Sequence, residues 1–524
     1  MSERVARLGA IIRADFLIRL RRPSTAVVFL LLSAMPYLWI PDPATGRALM
    51  QIGNQRALYN SATIGMATAT LATMFIGLFG FYVISNALRR DVLSRCGYVI
   101  ASTTMRGSEY IAGKFAGNVV FLSVFTIGFM LTAMAMVLVR GEAPLEPLLF
   151  AKQYLLLAPP SITFVSAVAI AFECTPLLRT KFGDVLYFFL WVAILGAVVS
   201  ALEKGAGAQW AHFFDISGFG MLRQQFMTFY GTDSLSIGAT TFDASKGTMD
   251  FRGLHLTPYW AMARVVASLW PIAFLGVARL FFHRFDPARV RAVPNEKSRR
   301  SWLGRLNFLA KPLARLLVRV LAPLSRTPAL TDALTTIAGF PIAVIAIAGF
   351  AIAALAADGA KSLFTAVLPL ATAGCAIAIA DIASREKRAG TSALIFAAPH
   401  LRERFVFWKF SSSLFVALAF LGVPLACAIR TRPEMTVALL AGVVFITAAA
   451  TMLGIVSANP KTFIVGFLSF WYIAVQDRGA SPELDFAGWF GTATPAIVAV
   501  YALSALLLLV AAQLFHAHEL RRRW

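Results

Sequence analysis

The sequence predicts an all-α integral membrane protein: about twelve transmembrane helices in two parallel six-helix halves, with further amphipathic helices at the membrane surface. Three observations predict it. Of 524 residues, 58% are hydrophobic and 14% charged, where soluble domains carry about 25% charged residues, and the mean hydropathy is +0.72. Twelve apolar runs approach the ~20 residues that a bilayer asks of a helix. The formal charge of +22 gathers on alternate loops. These features exclude a soluble enzyme and a disordered regulator. They also remove the usual reading of a basic chain as a nucleic-acid binder, because Lys and Arg accumulate on one side of a polytopic membrane protein for topological reasons.

The runs cover 24–40, 62–88, 115–139, 153–172, 185–202, 259–278, 333–357, 362–380, 410–429, 435–457, 462–476 and 489–515. The stretch before the first holds six arginines (Arg4, Arg7, Arg13, Arg19, Arg21 and Arg22) and lacks a small-residue cleavage site, so it is expected to be retained. With the N-terminus placed in the cytoplasm, 35 of the 48 Lys and Arg fall on inner loops, 12 on outer loops, and Arg264 alone inside a span. The asymmetry predicts both termini inside and a bacterial inner membrane. Arg264 is expected to snorkel to the outer end of its span.

A basic, proline-rich stretch divides the chain into a first half (1–282, with an outer insertion at 203–258), a linker (283–330) and a second half (331–524). Six spans on each side give the halves the same orientation, as in parallel repeats about an axis normal to the membrane. An arginine-studded amphipathic segment precedes each half, Val5–Arg22 and Trp302–Arg319. In the first, Val5, Leu8, Ile12, Phe16 and Leu20 keep a helical spacing suited to an interfacial helix on anionic lipid. After the second and eighth spans come charged loops, 89–114 and 381–409, far longer than simple helix connections. Their apolar cores, Tyr98-Val99-Ile100 and Ala393-Leu394-Ile395-Phe396, predict short helices at the inner surface.

The second loop reads Ser384-Arg385-Glu386-Lys387-Arg388-Ala389-Gly390-Thr391, then an apolar run, Pro399, charged residues, and Lys409 entering a span. This resembles the loop signature of ABC exporter permeases of the second type, with Trp408 where that family has Gly. The first loop is similar to the later part of the signature through Arg106, Ser108, Glu109, Tyr110, Gly113 and Lys114. It lacks the early Glu, and Gly97 to Lys114 is two residues shorter than Gly390 to Lys409. The resemblance implies two permease domains fused in one chain. It also implies an ATPase-coupling role for Arg95, Gly97, Glu109, Lys114, Arg385, Glu386, Arg388, Gly390, Thr391, Pro399 and Lys409, and short re-entrant helices between spans five and six, for which 210–230 is the candidate. Glu386→Lys is then expected to abolish transport while leaving membrane insertion intact.

The chain has no P-loop, since Gly113-Lys114 runs into Phe115. No cofactor is expected in this chain. ATP and magnesium would be bound by a separate P-loop ATPase subunit, in two copies, with membrane lipids as the other partner. The near absence of charge at the span centres suits an apolar or amphipathic substrate. Two other classes stay open. A secondary carrier of the major facilitator type shares the twelve spans, although the loops are long and coupling carboxylates inside the spans are lacking. A membrane-embedded enzyme of lipid or glycan metabolism is the other; the histidines do not cluster for it. The four cysteines form no CxxC pair and are read as packing residues. Gly65, Ala67, Ala69, Ala72, Gly77 and Gly80 make the second span a site of close helix packing, or a seam between the halves.

Overall fold

In a computed structural model, the described residues are 3–285 and 327–523, apart from 22, 54, 177, 180, 204, 205, 233, 284, 340, 341 and 358, together with six positions between 311 and 323. The chain is 79% helical. It divides into two compact units, Met1–Val293 and Pro294–Trp524, at a point inside the basic linker. Most of the second expected amphipathic segment, Trp302–Arg319, lies outside the described residues.

The first unit opens with α1 (Glu3–Leu20) and α2 (Pro23–Trp39). A small antiparallel pair, β1 (Arg47–Ile52) and β2 (Gln55–Ala57), follows. The second span runs through α3 (Ser61–Phe75), a π-turn at Ile76–Gly80 and α4 (Phe81–Ile84). Two short helices, α5 (Ala87–Leu93) and α6 (Cys96–Ser102), fill the first charged loop. Two long helices come next, α7 (Gly107–Arg140) and α8 (Pro147–Cys174), then α9 (Lys181–Glu203). The insertion supplies α10 (Phe219–Tyr230), β3 (Leu235–Thr241) and β4 (Thr248–Met249), and the unit ends with α11 (Pro258–Leu269) and α12 (Ala273–Phe281).

The second unit has no strands among its described residues. It has α13 (Pro328–Gly339), α14 (Ile342–Leu355), α15 (Gly359–Ser362), a π-turn at Leu363–Val367 and α16 (Leu368–Ile379). Its charged loop holds α17 (Arg385–Ala389), α18 (Ser392–Phe396) and α19 (Pro399–Glu403). Then come α20 (Phe405–Thr431), α21 (Thr436–Ser457), α22 (Pro460–Asp477) and α23 (Pro495–Arg523).

Among the described residues, eight helices are long and apolar enough to cross a membrane. They are Ser61–Val92, Gly107–Arg140, Pro147–Cys174, Pro258–Phe281, Gly359–Ile379, Phe405–Thr431, Pro433–Ser457 and Pro495–Arg522. The other four apolar runs are also helical, as α2, α9, α22 and the pair α13 and α14. The run 333–357 does not form one rod: α13 and α14 meet at 97°. The sequence sets Pro341 between them, and proline ends a helix by removing a donor and clashing with the preceding turn.

The all-α expectation misses a four-stranded sheet in the order β3-β1-β2-β4. The strands are two to seven residues long and β1 and β3 are almost 190 residues apart, too short and too remote for an alternation signal. Tyr59 anchors the sheet, its hydroxyl accepting the Leu49 N–H at 2.7 Å, and Arg56 on β2 forms a two-bond pair with Glu142 at 2.7 and 2.8 Å.

Core packing explains the small residues of the second span. A Cβ on Gly65 would stand 3.3 Å from Phe150, one on Gly77 2.6 Å from Trp191, and one on Gly80 3.3 Å from Val165. These glycines serve close packing inside the first unit. Arg264 differs from its expected snorkelling position. It is buried, and its Nε donates to the Leu156 carbonyl at 2.8 Å and its Nη2 to the Leu157 carbonyl at 3.2 Å. Pro160 has no N–H to offer Leu156 four residues earlier. The guanidinium takes the place of that missing donor.

Candidate functional site

The residues singled out in the two charged loops separate into an enclosed set and an exposed set. The enclosed set is built on one lysine in each unit. In the first, Lys114 near the start of α7 donates to Asp15 of α1 at 3.0 Å and pairs with Asp91 of α5 at 2.8 Å. Arg90 also pairs with Asp15. In the second, Lys409 near the start of α20 donates to Asp332 of α13 at 2.8 Å and to Glu386 of α17, and Arg385 donates to Asp332 at 3.0 Å.

The two quartets, Asp15, Arg90, Asp91, Lys114 and Asp332, Arg385, Glu386, Lys409, are wired alike. In both, arginine directly precedes the second acid, and lysine follows that acid by 23 residues. Each ties three elements together: α1, α5 and the base of α7 in the first unit, and α13, α17 and the base of α20 in the second. A buried ion is tolerated only when it is paired and hydrogen-bonded, and removing one partner costs about 3–5 kcal/mol. The quartets therefore fix how those elements meet.

The register extends outward. Four residues before each lysine stands a buried ring, Tyr110 or Phe405, with the ammonium 5.5 or 5.7 Å from its centre. Four residues after each lysine is a buried polar residue, Asn118 or Ser413. Four residues after the first Asp comes Arg19 or Thr336. Arg19 bridges Asp15 and Asn118 at 2.7 and 2.6 Å, and Thr336 accepts from Arg385 at 3.0 Å. The sets differ in charge. Arg19 makes the first three cations against two carboxylates, and Asp381, 3.6 Å from Arg385, makes the second two cations against three.

Asp15 lies on α1, outside the apolar runs. Burial raises its pKa, but Arg19, Lys114 and Arg90 outweigh that and hold the carboxyl below its ordinary 3.8.

This wiring corrects the alignment of the loops. The first loop does possess the early acid: it is Asp91, in the place of Glu386. Matching Gly97 to Gly390 put the halves two residues out of step. Arg95 stands where Gly390 stands, and both have left-handed backbone, φ 60° and 72°. Gly97 has a separate reason to be glycine, since a Cβ there would lie 2.7 Å from the Phe285 ring. Asp332, just ahead of the apolar run 333–357, is the buried counterpart of Asp15. Gly113 lets Ile11 of α1 approach α7, with 2.9 Å to a Cβ placed on it. Trp408, its counterpart, lies beneath the Lys409 ammonium at 4.2 Å.

The remaining residues are loop ends. The Glu109 carboxylate accepts the Arg106 N–H at 3.2 Å and caps α7. Gly390 ends α17, the Thr391 N–H donates to the Glu386 carbonyl at 3.0 Å, and Pro399 opens α19. Arg95 and Arg388 are exposed. The predicted apolar cores do form helices, α6 and α18. Val99 and Leu394, each eight residues beyond its quartet acid, are 67% and 78% exposed. Lys114, Glu386 and Lys409, by contrast, are enclosed and present no surface of their own. Glu386→Lys would set a second ammonium against Lys409, so it disturbs the packing of the unit as well as any coupling.

Among the described residues, no group of His, Cys, Asp and Glu is placed to hold a metal ion. No protein-family model matches the chain, and neither curated proteins nor solved structures give a match.

Proposed function

We propose that this chain is the transmembrane subunit of an ATP-driven exporter, with two six-span permease halves fused in one chain and both termini in the cytoplasm of a bacterial inner membrane. A separate P-loop ATPase, in two copies, works it. The observation that carries the reading is the repeated quartet. It roots a short helix, α5 or α17, in the base of α7 or α20, and the short helix that follows directly, α6 or α18, lifts one aliphatic residue, Val99 or Leu394, into the open at the same register. A push on α6 or α18 reaches the neighbouring α5 or α17, and passes from there to the long helix through a paired, buried lysine. Exposed Arg95 and Arg388 suit an acidic rim around an apolar groove on the partner. The charge-poor span centres suit an apolar or amphipathic substrate.

The test is co-purification of the tagged chain from its native membrane, alone and as Val99→Asp with Leu394→Asp. The expected result is an ATPase that accompanies the wild type and is lost from the double variant at equal accumulation of the chain. Transport by a preparation free of any ATPase would overturn the reading.

A further inference from the structure

At the end opposite its quartet, each unit carries a buried aspartate turn. In Asp215-Ile216-Ser217-Gly218-Phe219 the carboxylate accepts the N–H groups of Ser217, Gly218 and Gly220 at 3.0, 2.8 and 2.8 Å, and the Ser217 hydroxyl at 2.7 Å. In Asp485-Phe486-Ala487-Gly488-Trp489 it accepts the N–H groups of Phe490 and Thr492 at 3.2 and 3.0 Å, and the Thr492 hydroxyl at 3.2 Å. The glycine three residues on is left-handed in both, φ 84° and 67°.

That glycine is where the turn meets the fourth span. A Cβ on Gly218 would stand 2.5 Å from Leu157 of α8, and one on Gly488 2.8 Å from Ala438 of α21. Leu157 lies sixteen residues before Glu173, whose carboxylate accepts the Leu88 N–H at 2.6 Å. Ala438 lies sixteen residues before Gly454, which packs on Ala383. Leu88 and Ala383 each precede the quartet arginine by two residues. Both turns therefore dock at one depth, about 24 Å from the quartet end at 1.5 Å per residue.

The last long helix of each unit begins with Thr-Pro, Thr257-Pro258 and Thr494-Pro495, and seven residues beyond the threonine stand Arg264 and Tyr501. Arg264 donates to the Asp215 carbonyl at 2.6 Å, and the Tyr501 hydroxyl to the Glu483 carbonyl at 2.6 Å. We propose that Arg264 and Tyr501 are equivalent positioning residues, each latching the aspartate turn that closes its unit away from the quartet, and that the second latch is the one that opens first. Arg264 holds three carbonyls with a charged, forked group, two on α8 and one on the turn. Tyr501 makes one neutral bond, to Glu483 two residues before its turn, and its ring packs against Phe486 with centres 6.0 Å apart; charge-assisted bonds are about twice as strong as neutral ones. The assignment of the turns as gates rests on the exporter reading; their unequal hold does not.

Hydrogen–deuterium exchange of the full chain in lipid nanodiscs tests this. In the wild type, the Phe490 and Thr492 amides should exchange faster than those of Gly218 and Gly220. Tyr501→Phe should speed the former about threefold to tenfold, the loss of one net hydrogen bond, and leave the latter unchanged; Arg264→Gln should do the converse. Equal protection in the wild type, no response to Tyr501→Phe, or a rise at both turns in that variant would overturn the proposal. Should Arg264→Gln fail to accumulate, the wild type and Tyr501→Phe still decide the matter. Absence of an ATPase partner would leave all these rates untouched, so the two readings fail separately.

Discussion

Arg95 and Gly390 each stand five residues beyond a quartet arginine, and each turns the chain with left-handed backbone, φ 60° and 72°. A residue with a Cβ pays about 1 kcal/mol or more to adopt that conformation. No atom lies within 4 Å of a Cβ placed on Gly390, so Gly390→Ala isolates the backbone cost and should lower stability by about 1 kcal/mol. Arg95→Gly should raise it by about 0.5 kcal/mol, the relieved strain less the greater freedom of glycine when unfolded. Thermal unfolding midpoints in mild detergent read both. A lower midpoint for Arg95→Gly would contradict the shared register.

The ring four residues before each lysine makes a second comparison. The Tyr110 hydroxyl donates to Asp91 at 2.6 Å. Phe405 has no hydroxyl, and Glu386 keeps one buried oxygen without a hydrogen bond. Tyr110→Phe should cost about 1–2 kcal/mol, because Asp91 loses a donor it cannot replace with water. Phe405→Tyr should be neutral or stabilising. A Tyr110→Phe protein as stable as the wild type would show that Lys114 alone satisfies Asp91.

The acid behaviour of the first quartet follows from Asp15. Its folded pKa lies below the ordinary 3.8, so its ionised form contributes stability that is fully present above about pH 3.8 and lost as the pH falls toward the folded value. Asp15→Asn should be less stable than the wild type by a margin that is constant from about pH 6 to pH 4 and narrows below that. Unfolding midpoints across this range measure the margin. Closure of the gap already between about pH 6 and pH 5 would mean that burial, not the three cations, governs the carboxyl.

Much of the architecture was legible in the sequence, because spans and loops are written in long runs of one chemistry. The twelve apolar runs are helical, the last only from Pro495, and the two charged loops do contain short helices, Cys96–Ser102 and Ser392–Phe396, over the apolar cores Tyr98–Ile100 and Ala393–Phe396. What the sequence concealed depends on contacts between distant residues. Asp15 and Lys114 are almost one hundred positions apart, and an aspartate on an amphipathic helix looks solvated until a lysine is brought to it. Glycine was a poor guide to register, since Gly97 and Gly390 are glycines for different reasons. Arginine followed by an acid, with lysine 23 residues later, was the signal that could have aligned the loops. Arg264 was legible only beside Pro160, whose missing donor to the Leu156 carbonyl it replaces.

Gly97 gives the sharpest test of that corrected register. A Cβ there would sit 2.7 Å from one Phe285 ring carbon and 2.9 Å from another, too close for either to remain in place. Phe285 also packs edge-on against Tyr110, with ring centres 5.3 Å apart, so the ring cannot withdraw without disturbing the first quartet. Gly97→Ala should therefore cost about 1–3 kcal/mol, as overpacking does. Phe285→Leu in the same chain should return part of the loss, because a smaller, flexible side chain vacates the space. The matching position of the second loop under the corrected register is Ser392, which already carries a Cβ, so Ser392→Ala should change little. Unfolding midpoints of these variants discriminate between the two alignments. Were Gly97 the counterpart of Gly390, its substitution would cost only backbone strain and Phe285→Leu would return nothing.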